Sequence, residues 1–154
     1  MFEMTFWRAI FFIGLIMILI LKYRNGLDIM KTLPAAIIAI VLSFLGNIAL
    51  VELNFISYNP AKLGSQVLGV SLFHQLSTGL IAMLLIHFLP EERKDMPIYL
   101  ASFALIVDFI VYVAVQLNVI KFVQWGYITN FIFDFLALGI VYYSYEFVRK
   151  KYLT

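Results

Sequence analysis

Five stretches of this chain are almost wholly apolar, and short clusters of charge, proline and asparagine separate them. A bilayer's hydrocarbon core of about 30 Å, at about 1.5 Å of rise per residue, asks for roughly 20 residues of helix. The pattern therefore predicts membrane spans over about 7–22, 33–53, 66–88, 98–117 and 125–146. The expected fold class is all-α: an integral membrane bundle of five transmembrane helices, a single domain over 1–154.

Within each span the few small and polar residues carry the information. The run from Ala9 to Leu21 is bulky throughout except for Gly14, and Lys22, Tyr23 and Arg24 close it. With no small-residue cleavage site after it, it reads as an uncleaved span rather than a signal peptide. It offers neighbours no polar group, so it is expected to be the least packed helix, with Ile16 and Ile18 equally dispensable. The second span places Pro34 at a first-turn position, where its missing N–H costs nothing. Ala36, Ala39, Ser43, Gly46 and Asn47 then form a narrow stripe suited to close helix packing.

A connector with Asn59-Pro60 and Gly64 leads to the third span. There Ser71, Gln75, Thr78 and Ala82 share a face that His74 borders, and Gly69 and Gly79 are points where the helix could loosen. Leu89 to Pro97 is a charged hairpin in which Glu91 and Glu92 read as a solvated turn beside Arg93 and Lys94, not as an acid and base pair. On the fourth span Ala101, Ala104, Asp108, Tyr112 and Gln116 lie on one face, which is expected to point inward. Trp125 and Tyr127 introduce the fifth, where Asn130 and Asp134 stand one turn apart, and Glu146 is placed to pair with Arg149 or Lys150.

A carboxylate at membrane depth costs about 2.5 to 3.5 kcal/mol, so Asp108 and Asp134 are expected to face protein or water and to mark a functional site. Two acids at similar depth do not both ionise cheaply, and one is expected to act as a neutral hydrogen-bond donor, to Asn130, Tyr112 or His74. If the polar faces converge, Asp108, Asp134, His74, Asn130, Asn47, Tyr112, Gln75 and Thr78 line one pocket in the core and outer half. The alternative is that they satisfy one another pairwise with no cavity, and His74 reads equally well as a neutral packing residue. No metal site is expected, because His87 lies about 20 Å along the helix from His74.

Composition sharpens the class. With 64% hydrophobic and 13% charged residues over 154 positions and a mean hydropathy of +0.98, a water-soluble fold of this size could not hide its apolar surface. The lipid bilayer is the expected partner and the cell membrane the expected location. The chain has no cysteine, which excludes disulfides, thiolate catalysis and Cys-based zinc or iron–sulfur sites. Eight basic residues, Lys22, Arg24, Lys31, Arg93, Lys94, Arg149, Lys150 and Lys151, fall on one side of the bundle, against Arg8, Lys62 and Lys121 on the other. The side with more basic residues belongs in the cytoplasm, which predicts the N-terminus outside and the C-terminus inside. A net charge of +2 placed at segment ends is no nucleic-acid footprint.

The order Pro90-Glu91-Glu92-Arg93-Lys94, Tyr99, Asp108, Tyr112, Trp125, Asn130, Asp134 resembles a functionally uncharacterised family of small five-helix membrane proteins of spore-forming Firmicutes. The likeness covers roughly the C-terminal half. Where family members carry Gly-Trp-Asn before the last helix, this chain reads Gln124-Trp125-Gly126. The resemblance implies a bacterial multi-pass membrane protein and assigns no site role.

The chain has no Asp-x-x-Asp pair, phosphate loop or nucleophile motif. The favoured expectation is a non-enzymatic accessory module that binds a ligand or partner in a polar core and needs no cofactor. One alternative is a proton-coupled transporter or channel subunit with Asp108, Asp134 and His74 as a relay. Another is a membrane enzyme acting on a lipid or isoprenoid. No inverted repeat is evident, so a homo-oligomer or a membrane-protein partner would have to supply any symmetry.

Overall fold

The computed structural model describes residues 6–59, 66–67 and 70–152; Pro60, Lys62, Gly64 and Gly69 lie outside the described residues. In chain order the elements are α1 (Phe6–Asn25), α2 (Ile29–Glu52), β1 (Ile56–Tyr58), β2 (Gln66–Val67), β3 (Val70–Ser71), α3 (Leu72–His87), α4 (Met96–Gln116), β4 (Ile120–Phe122) and α5 (Tyr127–Tyr152). A 3-10 turn at Arg93–Asp95 leads into α4. Among the described residues four helices, α1, α2, α4 and α5, are long and apolar enough to cross a membrane. The protein is a helical membrane protein.

The third span departs from expectation. Helix α3 has 16 residues, short of a bilayer's thickness, because the chain before it is β structure: β2 pairs antiparallel with β3. The Ser71 side chain then caps the helix by accepting from the His74 amide at 3.4 Å, which fixes the start at Leu72. Helix α2 also starts earlier than expected. Asp28 caps it by accepting from the Lys31 amide at 3.2 Å, so Pro34 sits inside the helix rather than in its first turn.

α2 and α4 end alike. Asn54 and Asn118 both turn left-handed, at φ 57° and 55°, a conformation that asparagine tolerates better than most residues. Val51-Glu52-Leu53-Asn54-Phe55-Ile56-Ser57-Tyr58 and Val115-Gln116-Leu117-Asn118-Val119-Ile120-Lys121-Phe122 are alike in sequence as well. The amides after each cap fold back onto equivalent carbonyls, Phe55 onto Leu50 and Val119 onto Ala114, each at 2.9 Å. The strands that follow, β1 and β4, pair antiparallel with Ser57 opposite Lys121 at the centre. Asn59 donates to Val119 at 3.1 Å and Val123 donates to Phe55 at 2.9 Å, which closes the ribbon symmetrically.

α2 packs on α3 and α5, α4 on α5, and α1 on α3. α3 packs tightly on α2 at Gly79, where an added Cβ would stand 2.8 Å from Ile40 Cδ1 and 3.4 Å from the Ala36 carbonyl. Gly79 is therefore a packing surface within a continuous helix, not a point of loosening. One core cluster, with Ala35, Leu85, Leu100, Ala104 and Tyr145, occupies the end near the α3–α4 turn. A second, with Trp7, Leu50, Tyr58, Ala114 and Val119, lies under the ribbon. Helix α1 has the smallest buried share of the four long helices, but Ile18 is only 3% exposed, packed with Leu27, Ala36 and Met83. Ile16, at 55%, faces outward, so the two isoleucines are not equivalent.

The ion pairs among the described residues sit near the helix ends, where water can reach them. Asp28 pairs with Lys31 at 3.6 Å, Glu92 with Lys94 at 2.6 Å and Glu146 with Arg149 at 3.0 Å, all at the end opposite the ribbon.

Candidate functional site

A cavity of about 120 Å³ lies between the two core clusters, walled by α2, α3, α4 and α5 and covered at the ribbon end by Ile120 and Phe122. Two hydrogen-bonded groups of side chains flank it.

The first belongs to α4 and α5. Asn130, 8% exposed, donates through Nδ2 to Asp108 Oδ1 at 2.8 Å and to Asp134 Oδ2 at 2.9 Å. Its Oδ1 accepts from the Trp125 indole N–H at 3.2 Å, and an indole can only donate, so the amide can face only one way. Asn130 thus joins two carboxyl groups from neighbouring helices. Asp134 Oδ1 has no partner among the described residues, and Asp134 lines the cavity.

The second group belongs to α2, α3 and β1. The Ser43 hydroxyl donates to Gln75 Oε1 at 2.6 Å, and Asn47 Nδ2 donates to the Ser43 carbonyl at 2.8 Å. A carbonyl only accepts, so Asn47 must turn its oxygen to Tyr58, whose hydroxyl donates to it at 3.0 Å. That uses the only proton Tyr58 has. The 2.8 Å contact between Tyr58 Oη and His74 Nδ1 therefore runs from a protonated Nδ1 to the phenol oxygen. Trp7 stacks on the His74 ring, centroids 3.8 Å apart and planes 18° apart. Burial pushes the Tyr58 phenol above the usual tyrosine range. Gln75 Nε2 and Trp7 Nε1 are buried with no partner among the described residues.

Of the eight residues singled out in the sequence, Asn47, His74, Thr78, Asn130 and Asp134 line the cavity. Gln75 stands behind Ser43 and Asn47, and Asp108 behind Asn130. Tyr112 does not belong with them. It is 44% exposed, its ring against Phe109 and Tyr127, because the buried side of α4 is Leu100, Ala104, Val111 and Ala114. The acids share Asn130, and among the described residues neither bonds to Tyr112 or His74.

Sequence reasoning missed Ser43 as a site residue, and also Tyr58, Trp7 and the inward role of Trp125. The repeated Val-x-Leu-Asn-x-Ile segment was the available signal for Tyr58, since it puts Tyr58 and Phe122 at matching positions beside the cavity. Positions lining the cavity also pair off, α2 with α4 at the ribbon's own offset of 64 residues (Val51 to Val115) and α3 with α5 at a shorter offset of 56 (His74 to Asn130). At one constant spacing, His74 and Thr78 of α3 match Asn130 and Asp134 of α5, and Ile81 and Ala82 match Ala137 and Leu138; all eight line the cavity. Ser43 and Asn47 of α2 match Val107 and Val111 of α4 in the same way. The α2 and α3 walls are thus polar and neutral, α5 brings the carboxyl, and α4 is apolar.

Comparison with protein-family models, with curated proteins and with solved structures gives no match, so the chemistry of the site is read from its geometry. Among the described residues no three His, Asp or Glu side chains gather as metal ligands would.

Proposed function

We propose that this protein is a non-enzymatic membrane module that holds a small ligand between α2, α3, α4 and α5. The observation that carries this reading is the cavity itself, where Asn47, His74, Thr78, Asn130 and Asp134 bring polar groups from three helices onto one space. Groups whose only task was helix association would pair directly and leave no room between them. We count α3 as a fifth span because α2 and α4 both end at the β1–β4 ribbon, so the chain between them has to cross back. The ribbon end faces outward and the end carrying eight basic residues faces the cytoplasm of the cell membrane.

The chain's lack of cysteine makes the test clean. In the folded, detergent-solubilised protein, Thr78→Cys is expected to react with methyl methanethiosulfonate, while Ala104→Cys, at a position 0% exposed and outside the cavity, stays protected. Equal protection of both would mean that the cavity admits nothing, and the reading fails. A second reading, proton-coupled transport, draws on the two carboxyls that share Asn130. It is favoured if purified protein in sealed vesicles dissipates an imposed pH gradient and Asp134→Asn does not.

A further inference from the structure

We infer that the cavity takes a small organic cation, a primary ammonium on a short alkyl chain, with its charge against Asp134. This deepens the ligand-binding reading above and rests on it.

The first argument is the distribution of polarity along the cavity. Asn47, His74 and Asn130 stand within two helical turns of the ribbon, and Asp134 and Thr78 one turn deeper. Below them the lining is Ala39, Leu42, Ile81, Ala82, Leu138 and Val141. From Asn130 to Val141 the helix rises about 16 Å, enough for a polar head with an apolar tail but not for a molecule polar throughout. The volume is close to that of an engineered cavity, about 150 Å³, that admits benzene, so the ligand has only a handful of heavy atoms.

The second argument is charge. Among the described residues Asp134 is the only acidic side chain in the lining, and Asp108, joined to it through Asn130, is an acid as well. At the far end of the bundle Asp28, Glu92 and Glu146 are paired with Lys or Arg, whereas among the described residues neither Asp108 nor Asp134 has a basic partner. Asn130 donates to both carboxyls and so stabilises charge there without cancelling it. Asp134 Oδ1 has no partner among the described residues, and an ammonium, with three donors, can use that oxygen together with the Thr78 hydroxyl oxygen, whose own proton goes to the Gln75 carbonyl at 2.7 Å. Phe133 adds an aromatic ring to the same wall, a surface that attracts ammonium groups. An anion would meet Asp134 across a low-dielectric space, and a neutral alcohol would leave that charge without a counter-ion.

The protein carries its own probe. Both of its tryptophans touch the site, Trp7 on His74 and Trp125 on Asn130. Purified full-length protein is titrated at neutral pH with n-butylamine, 1-butanol and butyrate, which share a chain and differ in charge. The expected result is a saturable change in tryptophan emission and a rise in Tm with butylamine, neither effect with butyrate, and an affinity for butanol at least about tenfold weaker. Asp134→Asn is expected to lower the butylamine affinity by at least about tenfold while the wild-type helical signal is kept. Should that variant fail to fold, Ala137→Met fills the apolar end without touching a polar group; it is expected to lose butylamine and keep methylammonium. Equal responses to all three compounds, or a butylamine response unchanged in both variants, would overturn the cation assignment while leaving the cavity a ligand site. No response to any of the three, with Thr78→Cys still reactive, overturns it as well; only protection of that cysteine would remove the reading beneath it.

Discussion

Ser57 and Lys121 face each other at the midpoint of the β1–β4 ribbon, and the chain enters each strand through the same Val-x-Leu-Asn-x-Ile motif. A shared motif at the helix end, a shared left-handed asparagine and a symmetric set of strand hydrogen bonds relate the end of α2 and β1 to the end of α4 and β4. Strands that pair antiparallel after helices that end at the same level give a repeat of like orientation, not an inverted one. The cavity lies between the two halves, and its polarity comes from where they differ. Thr78 corresponds to Asp134, His74 to Asn130, and Ser43 and Asn47 to valines. Identical halves would give a cavity with two equal walls; divergence gives a polar, neutral α2–α3 half and an α4–α5 half that sets a carboxyl beside an apolar helix.

The amide of Asn130 is the joint of the acidic group. Replacing it by alanine leaves Asp108 and Asp134 without their common donor and the Trp125 indole without its acceptor. A loss of about 1 to 3 kcal/mol is expected, with altered Trp125 emission. Tyr112→Ala, at an exposed position, is expected to stay within about 0.5 kcal/mol of wild type. SDS-induced unfolding with fluorescence detection measures both, and a costlier Tyr112→Ala would place the inward side of α4 wrongly.

Glycines test the packing. Gly79→Leu drives a large side chain into Ile40 and the Ala36 carbonyl and is expected to cost about 1 to 3 kcal/mol or to prevent folding. At Gly139 an added Cβ meets nothing within 4 Å, so Gly139→Leu is expected to be tolerated. Yield of monodisperse protein and thermal denaturation distinguish them.

Tyr58 gives a pH signature. Burial keeps its phenol protonated in the folded protein to higher pH than in the unfolded chain, where tyrosine ionises near about 10. Above that value the unfolded state releases a proton that the folded state keeps, so stability intact below it declines as pH rises. Tyr58→Phe starts about 1 to 3 kcal/mol lower, because Asn47 and His74 lose a partner, and is expected to show a shallower alkaline decline. Unfolding free energies measured from pH 8 to 11, a range set about the tyrosine value, give both the offset and the slope. Parallel slopes would show that the phenol titrates alike in both states.

On α1, Ile18→Ala removes a buried side chain from the cluster with Leu27, Ala36 and Met83 and is expected to cost about 2 to 5 kcal/mol. Ile16→Ala, on the outward face, is expected to change little. Equal thermal shifts would detach α1 from the bundle.

The sequence by itself determined the class, the four long apolar helices and most of the polar cast. Membrane helices are written in local terms, as apolar length closed by charge or proline, and each is satisfied by its own backbone. Asn130 and Asp134 were legible as one face for the same reason, since both lie on one helix. The tertiary structure decided what depends on how helices face one another. Tyr112 shares a stripe with Asp108, yet α4 turns it outward, because which stripe is buried depends on the partner helix and every face of such a helix is apolar enough for lipid. Tyr58 reached from a connector into the core and Trp7 closed over His74, two contacts between segments well separated in the chain. The cavity is likewise a property of spacing between helices. Composition can require that polar groups inside a membrane find company, but only packing decides whether they meet one another or leave room for something else.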